Sequence, residues 1–322
     1  MSAGEEFTYI REHLVPLTEC NPGALGLQDD AAILTPTPDH EIVLCSDMLV
    51  AGVHFLESDG LDQIAQRALR TNLSDLAAMG ARPIGYLCSI AWPAGATPSD
   101  RENFAQGLAA AQSVYNLVLL GGDTTCSAGP LVISMTLYGE VATGTALRRD
   151  QALDGHDVWV TGTIGDAVLG LSIAKGELDP HPALLKRYQF PDARVETGMA
   201  LSGLASACID ISDGLVADAA HLAAASGKSI EIEATMIPFS DPALLWLENE
   251  GQAGLESLIT GGDDYELLFT APNNNAASIL ALQEEIGAPI SWIGSVSQGA
   301  GVTFRDDMGQ LLTIESSGFT HF

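Results

Sequence analysis

Five times along this chain a short apolar run or a glycine turn stops at aspartate, and this repeated device restricts the possible folds more than any other feature. The fullest case is Val118-Leu119-Leu120-Gly121-Gly122-Asp123-Thr124-Thr125. An apolar run of this kind reads as a buried strand. Paired glycines let the backbone turn sharply and approach a ligand before it presents an acid and two hydroxyls. The device returns at Leu258-Ile259-Thr260-Gly261-Gly262-Asp263-Asp264-Tyr265-Glu266, and related acidic stops stand at Gln28-Asp29-Asp30, Ser46-Asp47 and Ile209-Asp210-Ile211-Ser212-Asp213-Gly214. Any one of these aspartates is explained as a helix cap or a turn residue. Five together point to hard-cation sites made of oxygen ligands and shared with phosphate groups.

The spacing of the acids is read against an alternation of strands and helices. Residues 5–17 carry apolar positions at helical spacing, 42–49 form a strand, and 62–80 form a helix on which Asn72 and Asp75 fall three apart on one face. A strand over 84–92, a helix over 99–115 and the strand carrying Asp123 follow; the next strand, 131–141, is expected to pair with its predecessor through the turn Ala128-Gly129-Pro130. Residues 142–155 are polar and turn-rich and mark the expected domain boundary. Beyond them, a strand at 157–161, a glycine turn and a helix over 167–175 make a geometry that can bring N–H groups to an anion. His54 lies between apolar neighbours, where a histidine satisfied by backbone is the plain reading.

At 322 residues the chain suits two domains of about 150 residues each. Its 42 acids against 13 bases give a formal charge of −29, which argues against nucleic acid or anionic lipid as partners because their phosphates would be repelled. Five scattered cysteines without a CxxC pair argue against a disulfide framework or a zinc site and for a reducing compartment. With no signal-peptide pattern at the N-terminus and no apolar run near the roughly 20 residues that span a bilayer, a soluble cytoplasmic protein is expected. Gly227-Lys228-Ser229 has the tail of a P-loop, but Leu222 stands where its first glycine belongs.

Taken in order, Asp29-Asp30-Ala31-Ala32, Ser46-Asp47-Met48-Leu49-Val50-Ala51-Gly52-Val53-His54-Phe55, Asn72-Leu73-Ser74-Asp75-Leu76-Ala77-Ala78-Met79-Gly80 and Gly121-Gly122-Asp123-Thr124-Thr125 resemble the thiamine-monophosphate kinase family. So do Ile209-Asp210-Ile211-Ser212-Asp213-Gly214-Leu215, Gly261-Gly262-Asp263-Asp264-Tyr265-Glu266-Leu267 and the closing Gly318-Phe319-Thr320-His321-Phe322. The resemblance implies an α/β (α+β) fold of two domains, like aminoimidazole ribonucleotide synthetase. Residues 1–145 would form an N-terminal domain that binds ATP and magnesium and pairs in a homodimer, and 146–322 a C-terminal α/β domain that closes the active-site cleft. It implies ATP-dependent phosphorylation of thiamine monophosphate to thiamine diphosphate, assisted by several Mg2+ ions. Carried over residue by residue, Asp30, Ser46, Asp47, Asp75, Asp123, Asp210 and Asp213 are expected to hold magnesium, with Asp123, Asp210 and Asp213 closest to the chemistry. Gly122, Asp123, Arg149 and Ser212 are expected at ATP, and His54, Asp264 and Phe319 at the substrate, all meeting in one pocket. The rival readings are another ATP-dependent synthetase of the same superfamily and a non-catalytic divalent-cation binder.

Overall fold

The computed structural model describes residues 3–315 and 318. They divide into two compact units, the first ending at Gly144 and the second beginning at Thr145, with the short stretch Ala77–Gly80 grouped with the second.

In the first unit, α1 (Ala3–Tyr9) runs into a π-helical turn over Ile10–Leu14 and 3-10 turns over Val15–Thr18 and Pro22–Leu27. The single helix expected over 5–17 is therefore broken into pieces. Pro16 gives the reason, because it brings no N–H to the helical ladder. There follow β1 (His40–Val50), α2 (Leu61–Ala78), β2 (Arg82–Pro93), α3 (Pro98–Tyr115), β3 (Val118–Ser127) and β4 (Val132–Ala142). Thr97 and Asp100 close a reciprocal capping box at the start of α3.

The four strands order β1-β4-β2-β3, with β4 antiparallel to both β1 and β2 and with β3 parallel to β2 at the edge. The expected pairing of β3 with β4 is thus corrected. On β4, Ile133, Met135 and Leu137 are fully buried and alternate with half-buried Ser134, Thr136 and Tyr138, the pattern of a sheet with one face packed and the other more open. β3 is largely open from Gly122 onward, as an edge strand can be. Nor does the chain turn at its glycine pair: β3 runs through Gly121 and Gly122 to Ser127. A Cβ at Gly122 would lie 1.9 Å from the carbonyl oxygen of Cys88 on β2, so this glycine serves close strand approach. Helices α2 and α3 cover the face that carries Met135, Leu137 and Tyr86, whose hydroxyl donates to Gln112 Oε1 at 2.6 Å.

The second unit comprises β5 (Asp157–Thr161), α4 (Asp166–Ala174), α5 (Pro182–Gln189), α6 (Val195–Ala200), β6 (Ala207–Asp210), α7 (Leu215–Ser226), β7 (Ser229–Glu233), α8 (Asp241–Thr260), β8 (Leu267–Ala271), α9 (Ala276–Ile286), β9 (Ile290–Ser297), β10 (Gly301–Arg305) and β11 (Leu311–Leu312). Its strands make a seven-stranded mixed sheet in the order β11-β10-β7-β9-β5-β8-β6. Val158, Val160, Ile209, Ile230, Ile232 and Leu268 from the sheet pack with Leu215 and Leu222 of α7 in the main core. A smaller core joins Leu169 of α4, Leu184 of α5 and Leu258 of α8. Residues 258–260, expected to be a strand delivering an acid, are the last turn of α8; three apolar residues are too few for periodicity to separate helix from strand. Among the described residues no helix is long and apolar enough to cross a membrane.

Candidate active site

In the first unit Asp30 and Asp123 line one cavity of about 570 Å³, together with Asp29, Ser89, Gly121, Gly122 and Thr136. The sheet register explains part of this: Asp123 is paired with Ser89 and Ser89 with Ser134, so the three side chains share a face. Ser46 belongs to that face too. Its Oγ donates to the carbonyl of Met135 at 2.9 Å and meets Thr136 Oγ1 at 3.1 Å.

Asp47 follows Ser46 in the strand and therefore points to the opposite face, the one covered by α2. There its main-chain N–H donates to Asn72 Oδ1 at 3.0 Å, while Asn72 Nδ2 donates to the carbonyl of Ala68. Burial pushes the carboxyl of Asp47 up. Cys45 donates its Sγ–H to the carbonyl of Asn72, and burial together with the charges of Asp75 and Asp47 holds its thiol well above the ordinary range. A sulfur is a soft donor poorly matched to a hard cation, whereas the two carboxylates beside it are hard oxygen donors. His54 accepts the N–H of Val50 on Nδ1 at 3.0 Å, so the neutral ring carries its proton on Nε2. Because β1 and β3 are the outer strands, Asp47 and Asp123 are separated by three strand spacings, roughly 14 Å. Within the first unit the expected magnesium ligands thus do not form one group: Asp30 and Asp123 line the cavity, Asp47 and Asp75 both act on Cys45 on the other face, and Ser46 shares the cavity's face but lies on β1, as many strands from Asp123 as Asp47 does.

In the second unit β6 ends at Asp210, which is 6% exposed, and the segment Ile211–Gly214 leads into α7. Gly214 stands at the cap with φ 109°, where a side chain would be strained and would meet the carbonyl of Thr260. Asp218, inside α7, accepts the N–H groups of Ser212 and Asp213 on one oxygen, each at 3.0 Å. Burial, reinforced by Asp210, pushes its carboxyl up to about 7. Asp213, Asp218 and His221 offer ligand atoms that all lie within 4.8 Å of one another. Asp218 and His221 were missed in the sequence, although their spacing of three on a helix that starts beside Asp213 was a usable signal. Arg149 is exposed, and its carbonyl accepts Ser226 Oγ at the far end of α7. With 12 residues in that helix, this places it about 18 Å from Ser212.

Asp264, expected at the substrate, is fully buried, and both its oxygens share the N–H of Gly165 at 3.0 and 2.9 Å. A contact with a bound molecule requires this fully buried carboxylate to be uncovered. Burial pushes its carboxyl well above the usual range. Asp263 and Tyr265, on either side, adopt left-handed backbone at φ 76° and 52°. Glu266 next to them receives Thr161 Oγ1, Arg187 NH2 and Arg194 Nε, each at 2.6 Å. Burial pushes that carboxyl up, but Arg194, Arg187 and the Thr161 hydroxyl together outweigh it, and the net shift is downward. The glycine turn at 162–165, read from sequence as able to face an anion, thus already faces two of the protein's own carboxylates. The roles of Arg187 and Arg194 carried no local signal, since their partner lies more than 70 residues away. Phe319 lies outside the described residues.

Residues 28–141 match the family model of AIR synthase related protein, N-terminal domain, and residues 154–307 that of the C-terminal domain. A thiamine-monophosphate kinase of Caulobacter vibrioides is 42% identical over 301 residues, covering 92% of this chain and 86% of the relative. The chain belongs to the thiamine-monophosphate kinase family. The family's solved structures agree. The crystal structure of the enzyme from Stenotrophomonas maltophilia K279a matches with a TM-score of 0.84 at 36% identity, covering 94% of this chain and 97% of that one. AaThiL complexed with AMPPCP and TMP matches with a TM-score of 0.78 at 33% identity, covering 95% and 96%.

Proposed function

We propose that this chain phosphorylates thiamine monophosphate with ATP, giving thiamine diphosphate and ADP by direct in-line transfer of the γ-phosphoryl group. The observation that supports this most is the match, along 95% of the chain, to a family structure holding an ATP analogue and TMP together. The acceptor is a phosphomonoester, whose second pKa near 6 leaves it mostly dianionic at neutral pH, so the nucleophile needs little help from a general base. Positioning the two phosphates and neutralising their charge are the tasks left to the protein.

The donor set fits magnesium. Asp30, Asp47, Asp75, Asp123, Asp210 and Asp213 are carboxylates, Ser46 adds a hydroxyl, and the neighbouring thiol of Cys45 is too soft a donor to compete with them for a hard cation. Bound there, Mg2+ supplies the positive charge that lets two anionic reactants approach in a chain of net charge −29. In this reading Asp123, Asp210 and Asp213 act nearest the transferred group. Gly122, Arg149 and Ser212 contact ATP, and His54, Asp264 and Phe319 contact the thiamine phosphate. Residues 1–145 would supply the nucleotide and dimer domain and 146–322 the domain that closes over it. A second copy of the chain would cover the open face of the first sheet, where Leu44 and Met48 are 59% and 57% exposed.

The deciding assay follows thiamine diphosphate by chromatography, from thiamine monophosphate and Mg-ATP. One product per ADP is expected, EDTA abolishes it, and Asp123→Asn lowers kcat by ~100-fold or more while the protein stays folded. Undiminished turnover after either treatment rules out the magnesium-assisted route, and no product from the wild-type chain rules out the reaction.

A further inference from the structure

Asp218 belongs to none of the expected ligand sets, yet it controls the main chain of two residues that do. The N–H groups of Ser212 and Asp213 precede Leu215, the first residue of α7, and so have no partner within the helix. A side chain at the cap position serves N–H groups further on, inside the first turn, and so does not meet these two. Here the cap is Gly214, whose backbone conformation and closeness to Thr260 exclude a side chain. Asp218 meets them from inside the helix, reaching backward past the cap with Oδ2 to both N–H groups at 3.0 Å. It is only 3% exposed.

The carbonyl side of the same segment is held as firmly. Asp263 N–H donates to the carbonyl of Ser212 at 2.9 Å, and Tyr265 N–H to that of Ile211 at 2.8 Å. Gly262 fits so closely that a Cβ there would lie 2.2 Å from the Ser212 oxygen. The amides of residues 211–213 and the carbonyls of Ile211 and Ser212 are therefore all held by hydrogen bonds.

We propose that Asp218 is the positioning residue of the nucleotide and metal segment: it locks the Ser212–Asp213 backbone so that hydroxyl and carboxylate are presented to Mg-ATP, without contacting either itself. The proposal rests on the reading of Ser212 and Asp213 given above, and its test is chosen to stand apart from turnover. Asp218→Asn keeps an oxygen that can accept both N–H groups, whereas Asp218→Ala removes it. Binding of Mn2+ with AMPPCP is followed by electron paramagnetic resonance, alongside melting temperature and kcat and KM for ATP.

Asp218→Ala is expected to weaken Mn2+·AMPPCP binding and to lower kcat/KM for ATP, each by ~10- to 100-fold, the scale of losing a buried acceptor, with Asp218→Asn restoring both to within about 3-fold of wild type. If Asp218→Asn binds Mn2+·AMPPCP as poorly as Asp218→Ala, the carboxylate is itself a ligand and the proposal fails. It fails equally if both variants bind normally and differ from wild type only in melting temperature. A wild-type chain that binds Mn2+·AMPPCP but makes no thiamine diphosphate overturns the reaction and leaves the Asp218 comparison decisive. No binding at all overturns both.

Discussion

Asp264 and Glu266 are two residues apart, both fully buried, and pushed in opposite directions. Glu266 has its pKa lowered in the folded state, so its contribution to stability is complete above the ordinary carboxylate range of about 4.3 and is lost as pH falls through the folded value. Urea unfolding of the wild type should weaken across that acid window. Glu266→Gln should lack that part of the pH dependence and cost about 3–5 kcal/mol at neutral pH, because Arg187 and Arg194 lose their buried counter-charge. For Asp264 the sign reverses. A raised pKa favours the folded state when protonated, and the advantage disappears as pH rises through the folded value. Asp264→Asn is therefore expected to melt higher than wild type at pH 7 and to converge on it in acid. If the side chain also meets the substrate as proposed, that gain will come with lost turnover. A lower melting temperature for Asp264→Asn at pH 7 would contradict the burial argument.

The elements show where sequence reasoning succeeds and where it stops. Long amphipathic helices such as α2 and α3 and alternating strands such as β4 were legible because burial repeats along them at a fixed period. Short signals were not. The glycines before Asp123 read as a turn but serve contact with a strand about 30 residues away in the chain, and that kind of demand leaves no local trace. Individual acids were legible as candidates. Their grouping was not, since it depends on strand order: Ser46 and Asp47 are neighbours in sequence and lie on opposite faces of a sheet. Helix packing offers a direct check of such hidden contacts. A Cβ at Gly107 of α3 would lie 2.2 Å from the carbonyl oxygen of Asp62 on α2. Gly107→Ala must spread the two helices and should lower stability by about 1–3 kcal/mol in chemical denaturation, despite alanine's better helix propensity. A more stable variant would show that the crossing can relax.

At the scale of the whole molecule, 42 acids against 13 bases give a surface on which like charges dominate, and self-association must rely on apolar area. The sheet of the first unit has such an area. Register places Leu44 and Met48 of β1 on the face opposite α2 and α3, and both are more than half exposed. If a second copy covers this face, the wild-type protein will sediment at twice the chain mass, while the double variant Leu44→Glu, Met48→Glu will sediment as a single chain and remain folded. A monomeric wild type at micromolar concentration removes the dimer from the proposal.

The turn at Gly162–Gly165 has a practical consequence for inhibitor design. A phosphate mimic built for that loop would compete with Asp264, whose oxygens already share the N–H of Gly165, and with Glu266, whose carboxylate stands where a Cβ of Gly162 would go. Displacing either leaves half-buried arginines or an amide that the mimic must itself satisfy, so the exchange brings little net gain. Chemists seeking selectivity should instead grow fragments outward from the Asp30 and Asp123 cavity, where room is left for something new.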